Sequence, residues 1–61
     1  MNDVEKIINA LKDEYFYCQD IACTAQKGGD KDRMTWYYGK AAGIKKSIGI
    51  IKKMKKYGII L

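Results

Sequence analysis

A chain of 61 residues, 48% hydrophobic and 31% charged, has the length of one domain and is too apolar for the disordered class. It contains no His, no Pro and only two Cys, which leaves neither a zinc-ligand set nor a disulfide framework to staple a small fold. The net charge of +5 is unevenly held: residues 1–30 carry three Lys against six carboxylates (net −3), while residues 31–61 carry eight Lys and Arg33 against Asp32 (net +8).

The first predicted element is an amphipathic helix over about residues 3–27. Val4, Ile7, Leu11, Cys18, Ile21 and Ala25 recur at helical spacing, and Ile8, Tyr15 and Ala22 widen the same stripe. Asn2 supplies an N-cap, Glu5 completes an N-x-x-E form of the capping box, and Asp3 adds a favourable charge to the first turn. Cys18 and Cys23 are separated by a rotation of about 500°, which puts them on different faces. They read as free thiols of a reducing compartment.

The turn is Lys27-Gly28-Gly29-Asp30, with Gly28 as the expected C′ residue and Asp30 or Asp32 as the cap of the next helix. That second helix is predicted over about residues 31–57, stopped by Gly58 and trailed by a tail of residues 58–61. Met34, Tyr37, Ala41, Ile44, Ile48 and Ile51 give it a matching apolar stripe. A second line, Trp36, Gly43, Ile50 and Tyr57, lies about 200° round from the first. One partner helix cannot cover both. Gly39, Gly43 and Gly49 each weaken an isolated helix, and close approach of another backbone would account for them.

The implied fold class is an all-α antiparallel two-helix hairpin, a single domain over residues 1–61. A core this small buries only about 60% of the unfolded surface, so self-association into a four-helix bundle or larger helical oligomer is expected. Antiparallel pairing sets Ile21 near Trp36 and Cys18 near Gly39. It also brings Glu14, read as lying on the apolar stripe, close to Gly43 and Lys40. Glu14 is therefore expected to be a salt-bridged structural acid, since no His, reactive Cys or second carboxylate accompanies it.

Gly29-Asp30 followed by Tyr37-Tyr38-Gly39-Lys40-Ala41 resembles the turn and second helix of a tetratricopeptide repeat over about a dozen residues. The first helix departs from that pattern, with Cys18 and Ala25 where the repeat places large aromatics. The resemblance implies a helical hairpin and carries no functional residue with it.

No residue set for catalysis, cofactor binding or metal binding is visible, so the expected role is non-enzymatic. The aromatics Tyr15, Phe16, Tyr17, Trp36, Tyr37 and Tyr38 are expected in the core or at an interface, where such residues concentrate binding energy. The favoured reading is a small regulatory or inhibitory protein that occupies a macromolecular partner through Trp36, Gly39, Gly43, Ile50 and Tyr57, the same surface serving for self-association. The alternative is a nucleic-acid binder, in which Lys45, Lys46, Lys52, Lys53, Lys55 and Lys56 contact a polyanion, with Lys52, Lys53, Lys55 and Lys56 partly answered by Asp3 and Glu5. A further alternative is a cationic membrane-active protein. The acidic N-terminus is unlike a secretory signal, and no apolar run approaches the ~20 residues of a membrane span, so a cytoplasmic location is expected. The abundance of Lys and Ile beside a single Arg points to an AT-rich genome, as of a low-GC bacterium or its mobile elements.

Overall fold

Helix α1 spans Asp3–Lys27 and helix α2 spans Lys31–Lys56 in a computed structural model that describes residues 3–60. The two helices pack along their whole length as an all-α hairpin, with no strand among the described residues. The result is a flat rod, 44 × 18 × 9 Å between Cα extremes.

The α2 side of the seam follows the expected stripe: Ala41 and Ile48 are buried, and Met34, Tyr37, Ile44 and Ile51 are half-buried. The α1 side differs by one position. Its inward residues are Val4, Ile8, Leu11, Tyr15, Cys18, Ala22 and Ala25, an unbroken alternation of steps of four and three. Ile7, expected on the stripe, is 51% exposed, and Ile21 is only half-buried. The reason lies at Glu14, which shares a helical row with Ile7 and Ile21. Turning that row inward would bury a carboxylate, whereas the row of Ile8, Tyr15 and Ala22 carries no charge. Small residues fill the half of the seam near the turn, where Cys18 and Ala22 are fully buried. The open half holds the larger cluster of Val4, Ile8 and Ile48, with Leu11, Ile44, Ile51 and Ile60 packed against it.

The turn is closed by backbone geometry. Asp30 N–H donates to Ala25 O at 2.9 Å and Gly29 N–H to Gln26 O at 3.1 Å, the paired bonds of a Schellman ending. This motif puts the left-handed residue at Gly29, with φ +79°, rather than at the expected Gly28. Asp30 then caps α2: its carboxylate accepts from Arg33 N–H at 3.1 Å, and its carbonyl accepts the first helical bond, from Met34 N–H at 3.0 Å. The same ending recurs at the other pole. Ile59 N–H bonds Met54 O, Gly58 N–H bonds Lys55 O, and Gly58 sits at φ +74°. The expected cap Asn2 lies outside the described residues.

Candidate docking face

Two interhelical contacts define the sides of the rod. On one, Lys40 Nζ lies 3.5 Å from Glu14 Oε1, as the pairing anticipated, and Glu14 also accepts from the buried Cys18 thiol at 3.8 Å. On the other, Tyr38 Oη–H donates to Gln26 Oε1 at 3.4 Å. Residues seven apart share a helical row within about 20°, so each contact assigns whole rows to its side. The Tyr38–Gln26 side carries Glu5, Lys12 and Gln19 from α1 and Lys45 and Lys52 from α2, and the neighbouring α1 row adds Phe16, 61% exposed, to an otherwise mainly polar surface.

The Glu14–Lys40 side is different. It carries Ile7 and Ile21 in the Glu14 row, and Ser47 and Met54 in the Lys40 row. The neighbouring rows add Ala10 and Tyr17 on α1, and Trp36, Gly43 and Ile50 on α2. Between Lys40 and Tyr57 both α2 rows are uncharged apart from Lys40 itself, and that charge is answered by Glu14. Large apolar groups stand open along this face: Ile7 is 51% exposed, Tyr17 and Trp36 61%, and Ile50 50%. Tyr57, in the same row as Trp36 and Ile50, is 71% exposed.

Trp36 is positioned from two directions. The Tyr37 ring meets it edge-on with centroids 4.8 Å apart, and Lys40 Nζ sits 5.3 Å from its centroid, so one ammonium serves both Glu14 and the indole. Gly39 and Gly43 lie beside it with nothing within 4 Å of where a Cβ would stand, and the same holds for Gly49. No backbone approaches these glycines inside the hairpin, so α1 is not the close-packed helix that would account for them. Of the other aromatics, Tyr15 and Tyr37 are half-buried, while Phe16 is 61% and Tyr38 39% exposed. Within the hairpin, then, only Tyr15 and Tyr37 of the aromatic cluster join the seam, and the others stand on its surface.

Of the lysines singled out for polyanion contact, Lys55 is taken up by Glu5 at 3.6 Å, and Lys56 Nζ sits 5.9 Å from the Tyr57 ring centroid. Lys45, Lys46, Lys52 and Lys53 are exposed and form no ion pair among the described residues, so Lys55 alone of the basic cluster acquires the carboxylate partner foreseen for it. Cys18 is buried and Cys23 exposed, both as free thiols. Among the described residues there is no pocket and no grouping of three His, Cys, Asp or Glu that would hold a metal. No described helix is long and apolar enough to cross a membrane.

Sequence reasoning reached Trp36, Gly39, Gly43, Ile50 and Tyr57 but not the α1 half of the face. Ile7, Ala10, Tyr17 and Ile21 signal it by their own helical spacing of three, seven and four, which the stronger inward stripe beside it obscures. Compared with known proteins, the chain matches no family model, no curated sequence and no solved structure.

Proposed function

We propose that this is a small non-enzymatic regulatory or inhibitory protein that acts by occupying a macromolecular partner, docking through the Glu14–Lys40 side of the hairpin. The observation that supports this reading is the line of Trp36, Ile50 and Tyr57, at 61%, 50% and 71% exposure, along and just past a helix that also exposes eight lysines. Covering the exposed part of Trp36 alone would remove on the order of 120 Å² from water, about 3 kcal/mol. Aromatic anchors of this size are what interface energetics concentrate on. The free thiols of Cys18 and Cys23 accord with a reducing, cytoplasmic setting for this activity.

The test is the double variant Trp36→Ser/Ile50→Gln. It should retain the helical circular dichroism of the parent and lose the protein that the parent captures from an extract of its source. Loss of helicity would instead assign these residues to the hairpin's own stability. One observation favours a second reading, nucleic-acid binding: Lys45, Lys46, Lys52 and Lys53 are exposed and outside ion pairs among the described residues. Affinity for duplex DNA or RNA falling steeply with salt would select it, because each neutralised phosphate contributes about −0.9 to the logarithmic slope.

A further inference from the structure

We infer that the occupant of this face is a second copy of the chain, docked about a two-fold axis parallel to the hairpin, so that α1 of each copy lies on α2 of the other. The inference rests on the docking-face reading above and names its partner.

Architecture comes first. A helical hairpin is a single layer, and stable domains are built from two. Among the described residues only Cys18 and Ala22 are sealed completely, while Val4, Ile8 and Ile48 each remain 8% exposed. The broad face measures 44 × 18 Å between Cα extremes, a projected footprint of the same order as the roughly 800 Å² of surface each partner contributes to a standard interface.

Charge then selects the arrangement. From Asp3 to Lys27, α1 holds five carboxylates against three lysines (net −2); from Lys31 to Lys56, α2 holds eight lysines and Arg33 against Asp32 (net +8). An axis running across the rod would lay α2 on α2, like charge on like. An axis along the rod lays α2 on the acidic helix instead, and every neighbouring pair of helices is then antiparallel.

Shape agrees with charge. The ion pairs Glu14–Lys40 and Glu5–Lys55 fix which residues share a level, and an axis along the rod preserves those levels between copies. Tyr17 of the partner subunit comes level with the stretch of α2 between Tyr37 and Gly43, and at Gly43 the docking rows offer backbone and no side chain. Ile7 comes level with Ile50, and Ile21 with Trp36. Gly43, which nothing approaches within the hairpin, thus becomes the recess for the partner's tyrosine. Asp13 and Lys46 lie on the outward edges of their helices, pointing away from each other within one hairpin, and this arrangement sets them level between copies.

Two experiments decide it. Sedimentation equilibrium at micromolar concentration should find a dimer. Gly43→Glu should weaken it about tenfold or more by placing a carboxylate in the recess, whereas Gly49→Glu, the same change on the opposite side, should leave it intact. Both glycines face open space in the hairpin, so both variants should keep the parental circular dichroism. Asp13→Lys and Lys46→Asp should each weaken the dimer, and the double reversal should restore it. A monomeric parent, equal behaviour of the two glycine variants, or failure of the reversal to restore binding overturns the inference. A monomer that still captures a different protein through Trp36 and Ile50 would overturn the second copy while upholding the docking face.

Discussion

Ile48 and Ile50 stand two residues apart in the same helix, and truncating each to alanine should separate what holds the hairpin together from what it presents. Ile48 is 8% exposed and packs with Val4 and Ile8; Ile50 is 50% exposed. Ile→Ala removes three carbons, about 2.4 kcal/mol of transfer free energy if fully buried. At Ile48 nearly all of that is lost and a cavity is left behind, for a total of about 3 kcal/mol. At Ile50 about half is lost and water fills the space, so the cost within one hairpin is about 1 kcal/mol. A domain of this size has a total stability of roughly 3–9 kcal/mol, so Ile48→Ala removes a third or more of it. In thermal melts followed by circular dichroism, 1 kcal/mol corresponds to a shift of about 4–8 °C, so Ile48→Ala should lower the midpoint by roughly 12–24 °C and Ile50→Ala by about 4–8 °C. The Ile50→Ala deficit should also grow as protein concentration rises through the range where the parent associates. Equal losses at both sites, independent of concentration, would refute the assignment of Ile48 to the seam and Ile50 to the docking face.

Three further outcomes are expected. Asp30→Ala deprives α2 of its only observed side-chain cap and should cost about 1 kcal/mol in urea denaturation, with Asp30→Asn retaining most of that stability because its side-chain oxygen still accepts the Arg33 N–H. A maleimide added to the native protein should label one thiol, Cys23, and reach the buried Cys18 only in denaturant, as counted by intact mass. Glu14→Gln should change stability by less than about 1 kcal/mol, because Glu14 and Lys40 are both close to half exposed; a larger loss in the same denaturation assay would show that the pair is less solvated than its exposure implies.

The hairpin and its turn were legible in the sequence because glycine, aspartate and apolar spacing all act locally. The choice between Ile7 and Ile8 was harder, since both rows alternate correctly with Val4, Leu11, Cys18 and Ala25. Glu14 was the available discriminator: its row cannot face inward without burying a charge, and giving it more weight would have assigned Ile7 and Ile21 to the flank. Gly28 and Gly29 are equivalent by composition, and only the paired bonds to Ala25 and Gln26 decide which adopts the left-handed conformation. The outward line of Trp36, Ile50 and Tyr57 could be read directly because α2 already had a complete inward stripe. Its continuation onto α1 could not, because which rows of two helices share a side depends on their pairing, and that emerges only from contacts such as Glu14–Lys40.

Asp30 belongs to both helices at once: its N–H ends α1 while its carboxylate and carbonyl begin α2. No residue is left over as slack, and this bears on the order in which the chain folds. Closing the turn joins residues only a few positions apart, so its loop entropy is as small as a helical connection permits. Seam pairs can then form in succession, Ala25 and Ala22 first and Val4 last, each closing only a few additional residues. The last pairs to form are also the first to open. Amide protection should therefore fall from the turn toward the pole where Val4 and Ile60 meet, so the hairpin opens from its ends like a zipper whose slider is anchored at Asp30.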